Sequence, residues 1–121
     1  MKKLIRSFGF AFKGFRYAFT TQQNFRIHVF VAIAASLLGW YLGISVNEWQ
    51  WVTLCIMLML VTEMLNTSIE TLTDLVSPDY NKLAGHVKDI SAGAVLLVAL
   101  FSLVTGSIIF LPKIIHLFHA A

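Results

Sequence analysis

Residues 49–76 read WQWVTLCIMLMLVTEMLNTSIETLTDLV, and this stretch decides the fold. It otherwise reads as a membrane-spanning helix, yet Glu63, Asn66, Glu70 and Asp74 recur at spacings of three, four and four. At about 100° per residue these spacings put the four side chains on one helical stripe within an arc of about 80°. Thr67 joins the same face. A carboxylate near the bilayer centre costs about 2.5–3.5 kcal/mol on insertion scales, so the stripe requires a cation, a partner or a water-filled cleft. A merely solvated face does not explain Glu63, because Leu54 to Thr62 before it is almost wholly apolar.

The chain around this segment is equally lipophilic. Its 121 residues are 58% hydrophobic and 12% charged, with a mean hydropathy of +0.78, which excludes an ordinary soluble domain. Three apolar stretches, Ile27 to Ile44, Trp49 to about Ser68, and Ile90 to Leu111, each approach the roughly 20 residues that a spanning helix needs. The first stretch begins too late and lacks the small-residue pattern of a cleaved signal, so it reads as a retained span. Residues 1–121 are expected to form a single membrane domain, with an interfacial helix over about 1–20 and spans over about 27–44, 49–70 and 90–111. The fold class is therefore all-α integral membrane: three transmembrane helices preceded by an amphipathic interfacial helix.

Charge sets the expected orientation. Lys2, Lys3, Arg6, Lys13, Arg16 and Arg26 precede the first span, Lys82 and Lys88 lie between the second and third, and the turn at Ser45 to Gln50 has neither Lys nor Arg. The positive-inside rule then makes the N-terminus and the second loop cytoplasmic. In the N-terminal helix Leu4, Ile5, Phe8, Ala11, Phe12, Phe15 and Phe19 share one face and the basic residues gather opposite, a pattern suited to a membrane surface. Phe10 and Tyr17 interrupt the basic side, which hints at a contact other than lipid.

The segment from Asp74 to Asp89 supplies a second polar cluster. Ser77-Pro78-Asp79-Tyr80-Asn81 is turn chemistry, and Lys88-Asp89 is expected to open the third span just before Ser91, Ala92, Gly93 and Ala94. Close packing of these small residues would carry Lys88 and Asp89 towards Glu70. Carboxylates and one lysine at an interface suit a magnesium-bound polyphosphate, with oxygen ligands on the metal and the ammonium on phosphate. Neither a P-loop nor a GxGxxG turn is present. His116 and His119 lack a third ligand, His28 and His86 read as interfacial residues, and the lone Cys55 reads as packing.

The run Glu63-Met64-Leu65-Asn66-Thr67-Ser68-Ile69-Glu70, then Asp74 and Lys88-Asp89 ahead of a small-residue helix, resembles the bacterial diacylglycerol kinase and undecaprenol kinase family. The resemblance extends to the basic N-terminus, the Asn24-Phe25-Arg26-Ile27-His28 lead-in and the Phe110-Leu111-Pro112-Lys113 ending. It implies a lipid kinase of the bacterial inner membrane, dependent on ATP and Mg2+. It also implies a homotrimer with active sites shared between subunits at the cytoplasmic interface, and no nucleic-acid partner. By motif position, Glu63 is implied as general base with Asn66 orienting it, and Arg26 and Ala92 as further lipid contacts. Glu70 and Gln22 are implied as metal ligands. Lys88, Asp89, Asp79, Tyr80, Asn81, Phe10 and Gln22, with Glu70, are implied to surround the nucleotide. The family often has glutamate where this chain has Gln22, and an amide oxygen brings no charge to a metal. Lys3 and Phe10 stand where the family can have arginine and tyrosine. The lead-in and the ending lean towards the undecaprenol kinases.

A small oligomeric cation channel or transporter is the competing class. Nothing between Trp49 and Leu60 continues the polar stripe, so such a pore would lack a polar path outward.

Overall fold

A computed structural model describes residues 1–120 as four helices in chain order: α1 (Lys2–Thr21), α2 (Gln23–Leu42), α3 (Val46–Val76) and α4 (Lys82–Ala120). The last three are long and apolar enough to cross a membrane, and α1 precedes them as the sequence pattern predicts.

The breaks between helices have local causes. A single extended residue, Gln22, separates α1 from α2, and the corner is tied by Arg26, whose Nη1 donates to the Phe19 carbonyl at 2.7 Å. This bond satisfies a carbonyl that the end of α1 leaves without a helical donor. Helix α2 stops at Gly43, which takes a left-handed conformation (φ 63°) that other residues adopt only under strain. Ile44 and Gly43 then donate back to the carbonyls of Gly39 and Trp40 at 3.2 and 3.3 Å, closing a Schellman-type end. Two residues later α3 starts on a capping box: the Glu48 amide donates to Ser45 Oγ at 3.1 Å, and the Ser45 amide to Glu48 Oε1 at 3.0 Å. At the other end of α3, Asn81 donates to Ser77 Oγ and accepts from the Ala84 amide at 2.9 Å, so it caps α4.

Helix α3 is the centre of the molecule, packed most extensively on α4 and then on α2. Its hairpin with α4 is pinned at both ends by ion pairs, Lys88 to Asp74 near the short loop and Lys113 to Glu48 at 2.8 Å near the Ser45 turn. Roughly 25 residues separate the two pairs along α4, about 37 Å of helix, so they bracket the roughly 30 Å of a hydrocarbon core. Ile44, Val52 and Ile109 form a buried cluster beside the Lys113 pair, covered by Trp49, Ile56 and Phe110. Helix α1 buries only Ala18, and the aromatic face predicted for the membrane surface is open, with Phe12 68% exposed.

Helix α4 begins at Lys82, capped by Asn81, so Lys88 and Asp89 are already helical just ahead of the apolar run from Ile90. Lys88 bonds Asp74, one helical turn beyond Glu70 on α3.

Candidate active site

Along α3 the residues buried against its neighbours are Val52, Cys55, Met59, Glu63, Asn66 and Thr67. The spacing is that of a packing seam, apolar as far as Met59 and polar from Glu63 onward. Glu63 is 2% exposed, the most buried large side chain described. Burying such a group without a partner is costly, yet among the described residues Glu63 Oε2 and Asn66 Oδ1 have no hydrogen-bond partner.

Nearby hydroxyls are engaged elsewhere. Thr67 donates to the Glu63 backbone carbonyl at 2.9 Å, Thr71 to that of Thr67 at 2.8 Å, and Thr62 to that of Leu58 at 2.6 Å. Each hydroxyl thus back-bonds within its own helix and leaves the carboxylate alone. The Asn66 amide donates to Glu70 Oε1 at 3.4 Å, a long bond. Glu70 is half-buried and Asp74 exposed, so within three turns the file passes from sealed to open, ending at the half-buried Lys88. The structure therefore brings together Glu63, Asn66, Glu70, Asp74 and Lys88.

Other candidates lie apart from that file. Asp79, Tyr80 and Asn81 are exposed on the loop, where Asn81 is committed to capping and the Tyr80 ring lies over Gly85. Asp89, Ala92 and Phe10 are exposed as well. Gln22 and Arg26 sit half-buried at the α1–α2 corner, Gln22 bonded to Thr21 at 3.3 Å. Among the described residues no three His, Cys, Asp or Glu side chains converge as a metal site within one chain.

Two cavities flank the file. One of about 500 Å³ lies among α2, α3 and α4, with His28, Val31, Ala35, Met59, Ser102 and Phe110 in its wall. A second, of about 380 Å³, separates α1 from α3 near Gly14, Ala18 and Thr67. His28 was legible only as an interfacial histidine, yet it is half-buried and lines the larger cavity. The pattern His28, Val31, Ala32, Ala35 on one helical face is the signal that aims it inward.

Comparison with known proteins bears on what this file does. A profile of the prokaryotic diacylglycerol kinase family matches residues 9–110. A diacylglycerol kinase of Synechocystis is 38% identical over 94% of this chain; the match spans 66% of that longer relative, just under two thirds of its length. An undecaprenol kinase of Bacillus subtilis is 36% identical over 94% of this chain and 93% of its own. A diacylglycerol kinase of Escherichia coli is 26% identical over 88% of each.

Proposed function

The chain belongs to the prokaryotic diacylglycerol kinase family, and from that premise we propose that it is an ATP- and magnesium-dependent kinase of a membrane lipid hydroxyl. The observation that carries this reading is the Glu63 carboxylate, sealed in the seam with one oxygen unpaired and in file with Asn66, Glu70 and Lys88. An alcohol placed against that oxygen would complete the missing hydrogen bond. Glu63 then takes the hydroxyl proton as the alcohol oxygen attacks the terminal phosphorus, and ADP departs as the phosphate ester forms. Asn66 bridges towards Glu70 and keeps the two carboxylates apart. Lys88 meets phosphate oxygen once it leaves Asp74, and Asp79, Tyr80, Asn81, Asp89 and Phe10 border the nucleotide.

The donor set fits magnesium in kind: Glu70 offers a half-buried carboxylate oxygen, and Gln22 an amide oxygen at the corner. Bound there, the ion would neutralise charge on the transferring phosphate. One chain supplies few ligands, so the site is read as shared between subunits of a homotrimer, with Arg26 and Ala92 guiding the lipid. The basic residues cluster at the end bearing α1 and the 77–81 loop, and the positive-inside rule supports reading that end as cytoplasmic, in a protein of the cytoplasmic membrane. The Asn24 to His28 lead-in and the Phe110 to Lys113 ending favour undecaprenol over diacylglycerol. A pore is disfavoured because Met59, Cys55 and Val52 continue the seam without a polar group.

Purified protein given labelled ATP, magnesium and each lipid in turn tests the reading. Transfer to undecaprenol exceeding that to diacylglycerol is expected, with loss on chelation. No labelled lipid from either substrate would defeat the proposal.

A further inference from the structure

The cavity of about 500 Å³ among α2, α3 and α4 is placed to receive what a lipid hydroxyl brings with it. On α3 it starts at Met59, one helical turn short of Glu63 on the same buried seam, and runs away from Asp74 as far as Val52. On α4 it extends from Ala99 to Leu111, about 18 Å of helix that ends within a turn of Lys113. The cavity thus continues the line of the polar file into the apolar part of the seam.

Its walls suit one branched chain. Ala32 and Ala35 on α2 and Ala99 and Gly106 on α4 keep them thin, and a Cβ added at Gly106 would meet nothing within 4 Å. One polar atom of the lining, Ser102 Oγ, is buried with no hydrogen-bond partner among the described residues. The hydroxyls of Thr62, Thr67 and Thr71 on α3 bond back to their own helix, and that of Ser102 does not. A carbon–carbon double bond offers such a hydroxyl a weak acceptor, one that recurs along an isoprenoid and is missing from a saturated chain. A single apolar groove also fits a lipid with one tail better than a glycerol diester, whose two chains leave one headgroup.

Resting on the kinase reading above, we infer that this groove is the chain-binding subsite for a polyprenyl alcohol: the hydroxyl reaches Glu63 past Met59, and the isoprenoid tail lies between α2 and α4 towards the Glu48–Lys113 pair. The groove then selects the lipid by its tail. The residues around Glu63 cannot do so, because either candidate lipid presents the same primary hydroxyl to them.

Occupancy is measurable without turnover. A polyprenol of undecaprenol length carrying a photoreactive diazirine in its tail is crosslinked to the full chain in bilayers, and peptide mass spectrometry locates the labelled residues with and without excess undecaprenol. Label that undecaprenol competes away is expected on groove residues of α2 and α4, and dipalmitoylglycerol at the same excess should remove several-fold less of it. Gly106→Leu fills the groove; it should lower the competed label about fivefold or more, raise KM for undecaprenol by a similar factor and leave KM for ATP within about twofold. Ala35→Leu fills it from the opposite wall and serves if the Gly106 variant does not fold. Leu97→Phe adds bulk on the exposed side of α4 and should change neither label nor KM. Competed label confined to residues outside the groove, equal competition by the two lipids, or unchanged label in a folded filled variant overturns the assignment. So does a groove closed by a second copy of the chain, seen as no competed label there and a Gly106→Leu protein of altered oligomeric state. If label is competed as expected while the unaltered protein phosphorylates neither lipid, the kinase reading fails and the groove stands; if undecaprenol is phosphorylated while the groove takes no label, the reverse holds.

Discussion

Two glutamates on the same helix are treated in opposite ways. At the Ser45 end Glu48 accepts from the Ser45 amide at 3.0 Å and from Lys113 at 2.8 Å, and an apolar cluster closes beside it. Four turns on, Glu63 is more deeply buried yet keeps an oxygen with no partner. Stability favours the first arrangement, since polar groups taken from water need their hydrogen bonds returned. The second leaves room for a partner from outside the chain, and the difference separates the part that holds the hairpin together from the part proposed to carry the chemistry.

The contrast is broken most directly at the base. Glu63→Gln should lower turnover about 10²–10⁴-fold with KM for ATP nearly unchanged, and the protein should be no less stable because a buried charge has gone. Steady-state kinetics and a denaturation curve on the same preparation read both; near-normal turnover would return Glu63 to the structural class. Next in size is Glu70→Ala, which should raise the magnesium concentration for half-maximal activity about tenfold or abolish activity. An unchanged magnesium titration would mean that the metal is held elsewhere.

Between the extremes lies Asp74, exposed and paired with Lys88. If it competes with phosphate for that ammonium, Asp74→Asn should lower KM for ATP about two- to fivefold with turnover within about twofold. A higher KM would place Asp74 among the ligands instead. The smallest effect is expected at the Glu48–Lys113 pair. Glu48→Gln should cost about 1 kcal/mol or less in stability, because both partners are partly exposed, and leave the kinetics unaltered. A large catalytic loss there would erase the distinction between the two ends.

Much of this was readable from the residues in order. Hydropathy marks three spans because the bilayer imposes a length, and the amphipathic pattern of residues 2–19 marks α1. The stripe from Glu63 to Asp74 follows from helical geometry alone, and so does the claim that Glu63 needs an explanation. What sequence could not supply is anything set by one helix lying against another. The Glu48–Lys113 pair joins residues 65 positions apart, and Lys88 bonds Asp74 across the α3–α4 hairpin. The shared face of His28, Val31, Ala32 and Ala35 is written in the sequence, but not what that face packs against. Its place in the cavity wall depends on how α2 lies against α3, which is set by the left-handed turn at Gly43 and the close packing of Gly39 under Ile44 and Trp49. Periodicity is a property of one helix and is written locally; register and crossing are properties of pairs, decided only when the helices pack.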